Sequence, residues 1–154
     1  MIDMIRLATI DDYEDIERIA EQVHRLHVSW RPDIYIFEKD IFSKEMFKKL
    51  IEDGKVIVEF EDNIVKGFLM YSIRNYDIAN QVKRTVYFVD AIAVDEKYRG
   101  QGIGHKLLDY LKNIAKEKNL HTIELQVNAE NKQAKEMYDK YGFTDKSINM
   151  ELKL

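Results

Sequence analysis

The sequence predicts a mixed α/β fold (α+β mixed), a mostly antiparallel sheet flanked by helices in the order β-α-α-β-β-β-α-β-α-β. Three observations predict it. The spacing of apolar residues switches between the helical period and the strand period along the chain. Two β-rich runs meet at Asp62-Asn63, as the arms of a hairpin do. A strand, a glycine-rich turn, an amphipathic helix and another strand then follow in succession. Such a crossover places parallel strands beside the antiparallel ones.

Residues 3–9 read as the first strand. Thr9 and Asp12 form a capping pair, and Tyr13, Ile16, Ile19, Ala20 and Val23 recur at helical spacing, so a helix runs over 11–28. Pro32 breaks the pattern by disfavouring helix at the residue before it. Ser43 caps a second helix with Phe42, Met46, Phe47, Leu50 and Ile51 on one face, and Gly54 ends it. Residues 55–61 and 64–73 are the hairpin strands, 74–83 a polar loop, and 84–94 the most strand-like run of the chain. After the glycines of 99–104 a helix runs to Lys118 with Leu107, Leu108, Leu111, Ile114 and Ala115 facing inward. A strand follows over 121–127 and a helix over 131–140, ended by Gly142. Ile148, Met150, Leu152 and Leu154 alternate with polar neighbours, which predicts a last strand over 147–154. This strand either completes the sheet in one subunit or pairs across a homodimer.

Composition narrows the function. The chain has 154 residues, 45% hydrophobic and 34% charged, which suits one globular domain over 1–154. No apolar run approaches the roughly 20 residues of a membrane-spanning helix, so no membrane partner is expected. No basic stretch followed by an apolar one opens the sequence, so no secretory signal is expected. Cysteine is absent, which excludes disulfides and thiolate chemistry and fits a cytoplasmic protein. The net charge of −4 argues against a nucleic-acid partner.

The segment Tyr98-Arg99-Gly100-Gln101-Gly102-Ile103-Gly104 lies between a strand and a helix. Its glycines let a ligand approach the backbone, and the helix start offers unpaired N–H groups and a positive dipole end. Arg99 adds a charge suited to phosphate. A P-loop is excluded because Gly104 is followed by His105-Lys106-Leu107, without the hydroxyl that holds magnesium. A dinucleotide fingerprint is excluded because only one residue separates Gly102 from Gly104.

The pattern that fits is Arg-x-x-Gly-x-Gly at Arg99, Gly102 and Gly104, preceded by Ala91-Ile92-Ala93-Val94-Asp95. It resembles the acetyl-CoA-binding motif of the GCN5-related N-acetyltransferases (GNAT). Asn131-Lys132-Gln133-Ala134-Lys135-Glu136-Met137-Tyr138, followed by Tyr141-Gly142-Phe143, resembles that family's second signature. The resemblance implies a GNAT-like fold and an enzyme that moves acetyl from acetyl-CoA directly to an amine, with no metal. It implies that the strand ending at Val94 splays from the next one and takes the pantetheine arm through Ile92, Ala93 and Val94. It also implies that Arg99 and the amides of Gly100, Gln101, Gly102, Ile103, Gly104 and His105 hold the pyrophosphate, and that Asn131 binds the cofactor. Tyr138 is then the acid for the departing thiolate, although helical spacing alone reads it equally as a core aromatic.

Asp90 interrupts an apolar strand, shares a face with Ile92 and Val94 by the period of two, and is the candidate base. The other reading is a structural carboxylate bonded to an amide or to Arg84. Glu59 and Glu124 are expected to be solvated or paired. His24 and His27 lack a third metal ligand and are expected as surface or pocket histidines. Trp30, Tyr35, Phe37 and Phe42 are expected mainly in packing, with an acceptor pocket as the alternative. The acceptor is expected to be a small-molecule amine. The alternatives are a protein N-terminal or lysine amine, or a module that binds acyl-CoA without turnover.

Overall fold

A computed structural model describes residues 4–154. The strands are β1 (Met4–Leu7), β2 (Val56–Glu61), β3 (Ile64–Tyr76), β4 (Arg84–Val94) and β5 (Ile123–Leu125), and the helices are α1 (Tyr13–Trp30), α2 (Lys44–Glu52), α3 (Ile103–Glu117) and α4 (Lys132–Tyr141). The sheet runs β1-β2-β3-β4-β5, antiparallel except for β4 and β5, which are parallel. Asp3, expected in the first strand, lies outside the described residues.

Local chemistry explains the element ends. The Asp12 carboxylate accepts the Thr9 backbone N–H at 2.8 Å and holds Arg6 through both oxygens, so the turn into α1 is tied to β1. The Ser43 hydroxyl accepts the Met46 N–H at 3.1 Å and starts α2. Asp62 and Asn63 both take left-handed backbone, as a two-residue hairpin turn requires.

Apolar side chains pack on both faces of the sheet. Ile16, Ile19, Phe47, Val58 and Phe68 form the core under α1 and α2. Ile57, Leu69, Val89, Leu107, Leu108 and Leu111 form the core under α3. Gly67 of β3 brings α3 close to the sheet, since a Cβ there would sit 2.9 Å from Ile103 Cγ2.

Three expectations need correction. β3 runs to Tyr76, three residues beyond the expected end, because the hairpin arms continue pairing as far as Tyr76 opposite Arg84. β5 is only Ile123–Leu125, because it pairs with β4 only from Tyr87 to Val89. Residues 147–154 form no strand of the sheet. Residues 144–154 run without turn or bend, and among the described residues none of their backbone groups bonds to another backbone group. The alternation is real, but this chain supplies no edge for it.

Candidate active site

The site is organised by an irregularity in β4. Met70 faces Ala91 and Tyr71 faces Val89, so Asp90 is an extra, bulged residue. The bulge breaks the alternation of faces. Tyr87 and Val89 pack on the α3 side and so do Ile92 and Val94, whereas Ala91 and Ala93 pack on the α1 side. The strict period of two that placed Asp90 with Ile92 and Val94 therefore does not hold across it. Asp90 is exposed and, among the described residues, its carboxylate makes no hydrogen bond or ion pair, with Arg84 or any other group.

Beyond Val89, β4 and β5 separate, and the β5-facing edge of β4 from Asp90 to Val94 has no strand beside it. A cavity of about 240 Å³ opens in the gap. It brings together Asp90, Ile92 and Ala93 of β4, Asn131 and Tyr138 of the α4 segment, Gln126, Val127 and Asn128 after β5, and His24, His27 and Phe42. The two histidines are thus pocket residues. Gln126 and Asn128 are site residues that sequence reasoning misses. The early end of β5 pairing, which brings 126–128 to the cavity, leaves no mark in the sequence.

Tyr138 is almost fully buried and packs edge-on against the Phe143 ring at 5.7 Å. Its hydroxyl has no hydrogen-bond partner among the described residues and still reaches open space. Burial pushes the phenol up to about 12, so it keeps its proton at any working pH. The Asn131 side chain accepts the Ala134 N–H at 3.2 Å, capping α4 while it lines the cavity.

Val94, Arg99, Gly100, Gln101, Gly102, Ile103, Gly104 and His105 lie outside the cavity lining, along the end of β4 and the turn into α3. Gly100 and Gly102 have φ of 78° and 80°, and added Cβ atoms there would meet open space. The turn therefore presents backbone to solvent at the start of a 15-residue helix. Ile103 is buried, with its side chain directed at Gly67 of β3. Gly104 lets Met137 of α4 pack close. The Arg99 Nε donates to the Val94 carbonyl at 3.1 Å, which folds this side chain back over the end of β4.

The α1 wall carries an aromatic collar. His27 stacks on Tyr35 at 5.2 Å and meets the Trp30 ring at 5.6 Å, while Phe37 lies 5.8 Å from His24. His24 Nε2 lies 2.9 Å from the Ile36 carbonyl oxygen and 3.1 Å from the Glu38 backbone nitrogen, which fastens the 31–42 loop to α1. Burial lowers the His27 pKa, and the charge of His24 lowers it further. Glu124 pairs with Lys146 at 3.0 Å, as expected of a paired carboxylate. Glu59 departs from expectation, because it is fully buried with neither oxygen hydrogen-bonded among the described residues. Among the described residues no three metal-ligating side chains come together, and no helix is long and apolar enough to cross a membrane.

Residues 15–143 match the model of the acetyltransferase (GNAT) family. The chain belongs to this family. It is 33% identical over 147 residues to an uncharacterised N-acetyltransferase of Methanocaldococcus jannaschii, covering 94% of this chain but only 62% of that protein. It is 29% identical to the spermine/spermidine N(1)-acetyltransferase of Bacillus subtilis, over 72% of this chain and 77% of that protein. Among solved structures, a mutant of the BH1408 protein of Bacillus halodurans superposes with a TM-score of 0.94 at 28% identity, covering 98% of this chain and 99% of that one. The expected GNAT fold, with its mixed sheet flanked by helices, is thus confirmed.

Proposed function

We propose that the chain transfers an acetyl group from acetyl-CoA to the primary amine of a small molecule. The observation that carries this reading is the gap between β4 and β5, with Asp90, Asn131 and Tyr138 on its walls. The residues suit the co-substrate. An amide-bearing arm needs an unpaired strand edge, and Ile92 to Val94 offer one. A pyrophosphate needs clustered N–H groups, and the open left-handed glycines at the start of α3 offer them. Acetyl-CoA supplies the acetyl group as a thioester.

The chain's own residues do the rest. A backbone N–H in the Ile92–Val94 stretch donates to the thioester carbonyl and stabilises the charge that develops there. Asp90, freed by the bulge and left unpaired, accepts the proton of the incoming ammonium through water. Tyr138 donates a hydrogen bond to the departing sulfur. At about 12 its phenol is a weaker acid than a thiol near 8.5, so it steadies the thiolate and the sulfur takes its final proton from solvent. His24, His27 and Phe42 line the acceptor end, with Tyr35 and Trp30 packed against His27, and this bounded cavity suits a small-molecule amine. The Bacillus subtilis relative, named for polyamines, agrees with that choice.

The test pairs binding with turnover. Acetyl-CoA at about 100 times its dissociation constant adds about 2.7 kcal/mol and raises the melting midpoint by several degrees. NAD and ATP leave it unchanged, and Gly102→Val, strained at its left-handed position, abolishes the shift. Thiol release is then measured with polyamines, aminoglycosides, and peptides bearing free N-terminal or lysine amines. A shift without turnover on any amine would make the chain a binding module. Turnover on peptides alone would overturn the small-molecule reading.

A further inference from the structure

We infer, on the acetyl-transfer reading above, that the His27 imidazole is a second proton acceptor of the reaction, working beside Asp90. The chemistry asks for two. An amine that arrives as its ammonium loses one proton before its lone pair can attack the thioester carbon. Attack forms the N–C bond and leaves a cationic nitrogen. That nitrogen loses a second proton as the C–S bond breaks and its electron pair leaves with sulfur. One of the two protons ends on the thiol by way of solvent and the other goes to bulk water, so no further reactant is needed.

The cavity is lined by four ionisable side chains, Asp90, His24, His27 and Tyr138. Tyr138 keeps its proton and cannot accept one. His24 is committed to the 31–42 loop through Nε2. Asp90 is the acceptor already described. His27 is left, and among the described residues its ring nitrogens make no hydrogen bond or ion pair. Neither nitrogen is sealed from open space. A half-buried ring that served packing alone would carry these polar atoms at a cost that phenylalanine avoids. Tyr35 stacks on the ring at 5.2 Å and Trp30 meets it edge-on at 5.6 Å. Its plane is thus held while both nitrogens stay open, so it can take a proton at one and release a proton from the other.

The surroundings keep the ring neutral. Burial lowers its pKa, and so does His24 one turn earlier on α1. The charged groups nearest along the chain are already paired. Arg25 meets Glu21 at 2.9 Å, and Arg31, one turn beyond His27, meets Asp33 at 2.8 Å and Glu151 at 2.6 Å. Asp33 also meets Lys153 at 3.4 Å. Tyr35 faces the ring from the loop, and Asp90 of β4 and Tyr138 of α4 share its cavity. A neutral imidazole is a stronger base than a carboxylate, yet it is unprotonated at neutral pH.

The test is the pH dependence of kcat at saturating acetyl-CoA, with the fastest acceptor of the amine screen above, spermidine being the first tried. In the wild type kcat is expected to rise with pH through the folded pKa of His27, below 6.5, because only the neutral ring accepts a proton. His27→Gln and His27→Ala are expected to lose about 10²-fold in kcat with little change in KM, and to lose that rise. Acetyl-CoA should still raise the melting midpoint of both, which separates lost chemistry from lost fold. Added imidazole should restore turnover to His27→Ala, whereas pyrazole, of the same shape but a far weaker base, should not. His24→Gln, whose amide can keep both contacts with the loop, should retain the rise and move it to higher pH. A wild-type kcat that is flat through this range overturns the inference, as does a rise that survives in His27→Gln. Equal rescue by imidazole and pyrazole, or rescue by neither, overturns it too, and so does an unmoved rise in His24→Gln. A wild type that turns over no amine of the screen overturns the acetyl-transfer reading itself, and this inference with it.

Discussion

Tyr138 illustrates how one residue satisfies packing and chemistry together. Its ring fills the core between α4 and Phe143, and its hydroxyl keeps a solvent-reached end in the cavity. Tyr138→Phe preserves the packing and removes only the donor. Turnover should fall by about 10²-fold, as for loss of one hydrogen-bond donor to developing charge, while the acetyl-CoA dissociation constant changes little; equal loss of both would make the role one of binding. His27 carries a pH dependence. Its folded pKa lies below the ordinary 6.5, so the unfolded chain binds the proton more readily. The stability it contributes is present above that ordinary value and is lost as pH falls through the folded one. Melting midpoints measured between neutral and mildly acidic pH should therefore fall less steeply in His27→Gln. Glu59 is a buried carboxyl whose oxygens find no partner among the described residues, a cost of about 1–3 kcal/mol. Glu59→Met, similar in length and apolar, should raise the midpoint by a few degrees. Asn131 and Tyr138 are legible in the sequence because motif and helix period coincide there. Glu59 is not, because a strand residue between apolar neighbours has no mark that says which side is sealed.

At the scale of elements, two glycines with similar appearance in sequence have different duties. A Cβ on Gly67 would press on Ile103 Cγ2, a branched atom with no freedom to swing, and on the Ala93 carbonyl oxygen at 3.2 Å. A Cβ on Gly104 would meet the flexible tip of Met137 at 3.2 Å. Gly67→Ala should cost about 1–3 kcal/mol and weaken acetyl-CoA binding by displacing the start of α3, whereas Gly104→Ala should cost much less. Denaturant midpoints of the two variants decide it. The glycine turn is readable because left-handed backbone demands glycine. The bulge at Asp90 is not, because periodicity assumes an uninterrupted ladder, and nothing in Val89-Asp90-Ala91 announces the extra residue. The alternation of 147–154 does mark extended backbone. What it does not say is whether a strand lies beside that backbone to pair with it.

Across the whole molecule, the sheet has unequal seams. β3 and β4 pair over nearly their full length, but β5 holds to β4 by three residue pairs, Tyr87 with Ile123, Phe88 with Glu124 and Val89 with Leu125. The α4 segment, with Asn131 and Tyr138, follows that short seam and packs on α3, with Met137 against Gly104 and the Tyr141 hydroxyl donating to Asp109 at 2.7 Å. A seam so short opens at lower free energy than the rest. Hydrogen exchange should find the amides of β5 and α4 exchanging well before those of β3, and acetyl-CoA should slow them selectively. The gap proposed to admit the co-substrate thus makes the protein a two-leaved body with a narrow spine. Its ligand then acts as the clasp, and the enzyme would be most rigid when it holds its acetyl donor and most open to proteases and heat when its supply of donor runs out.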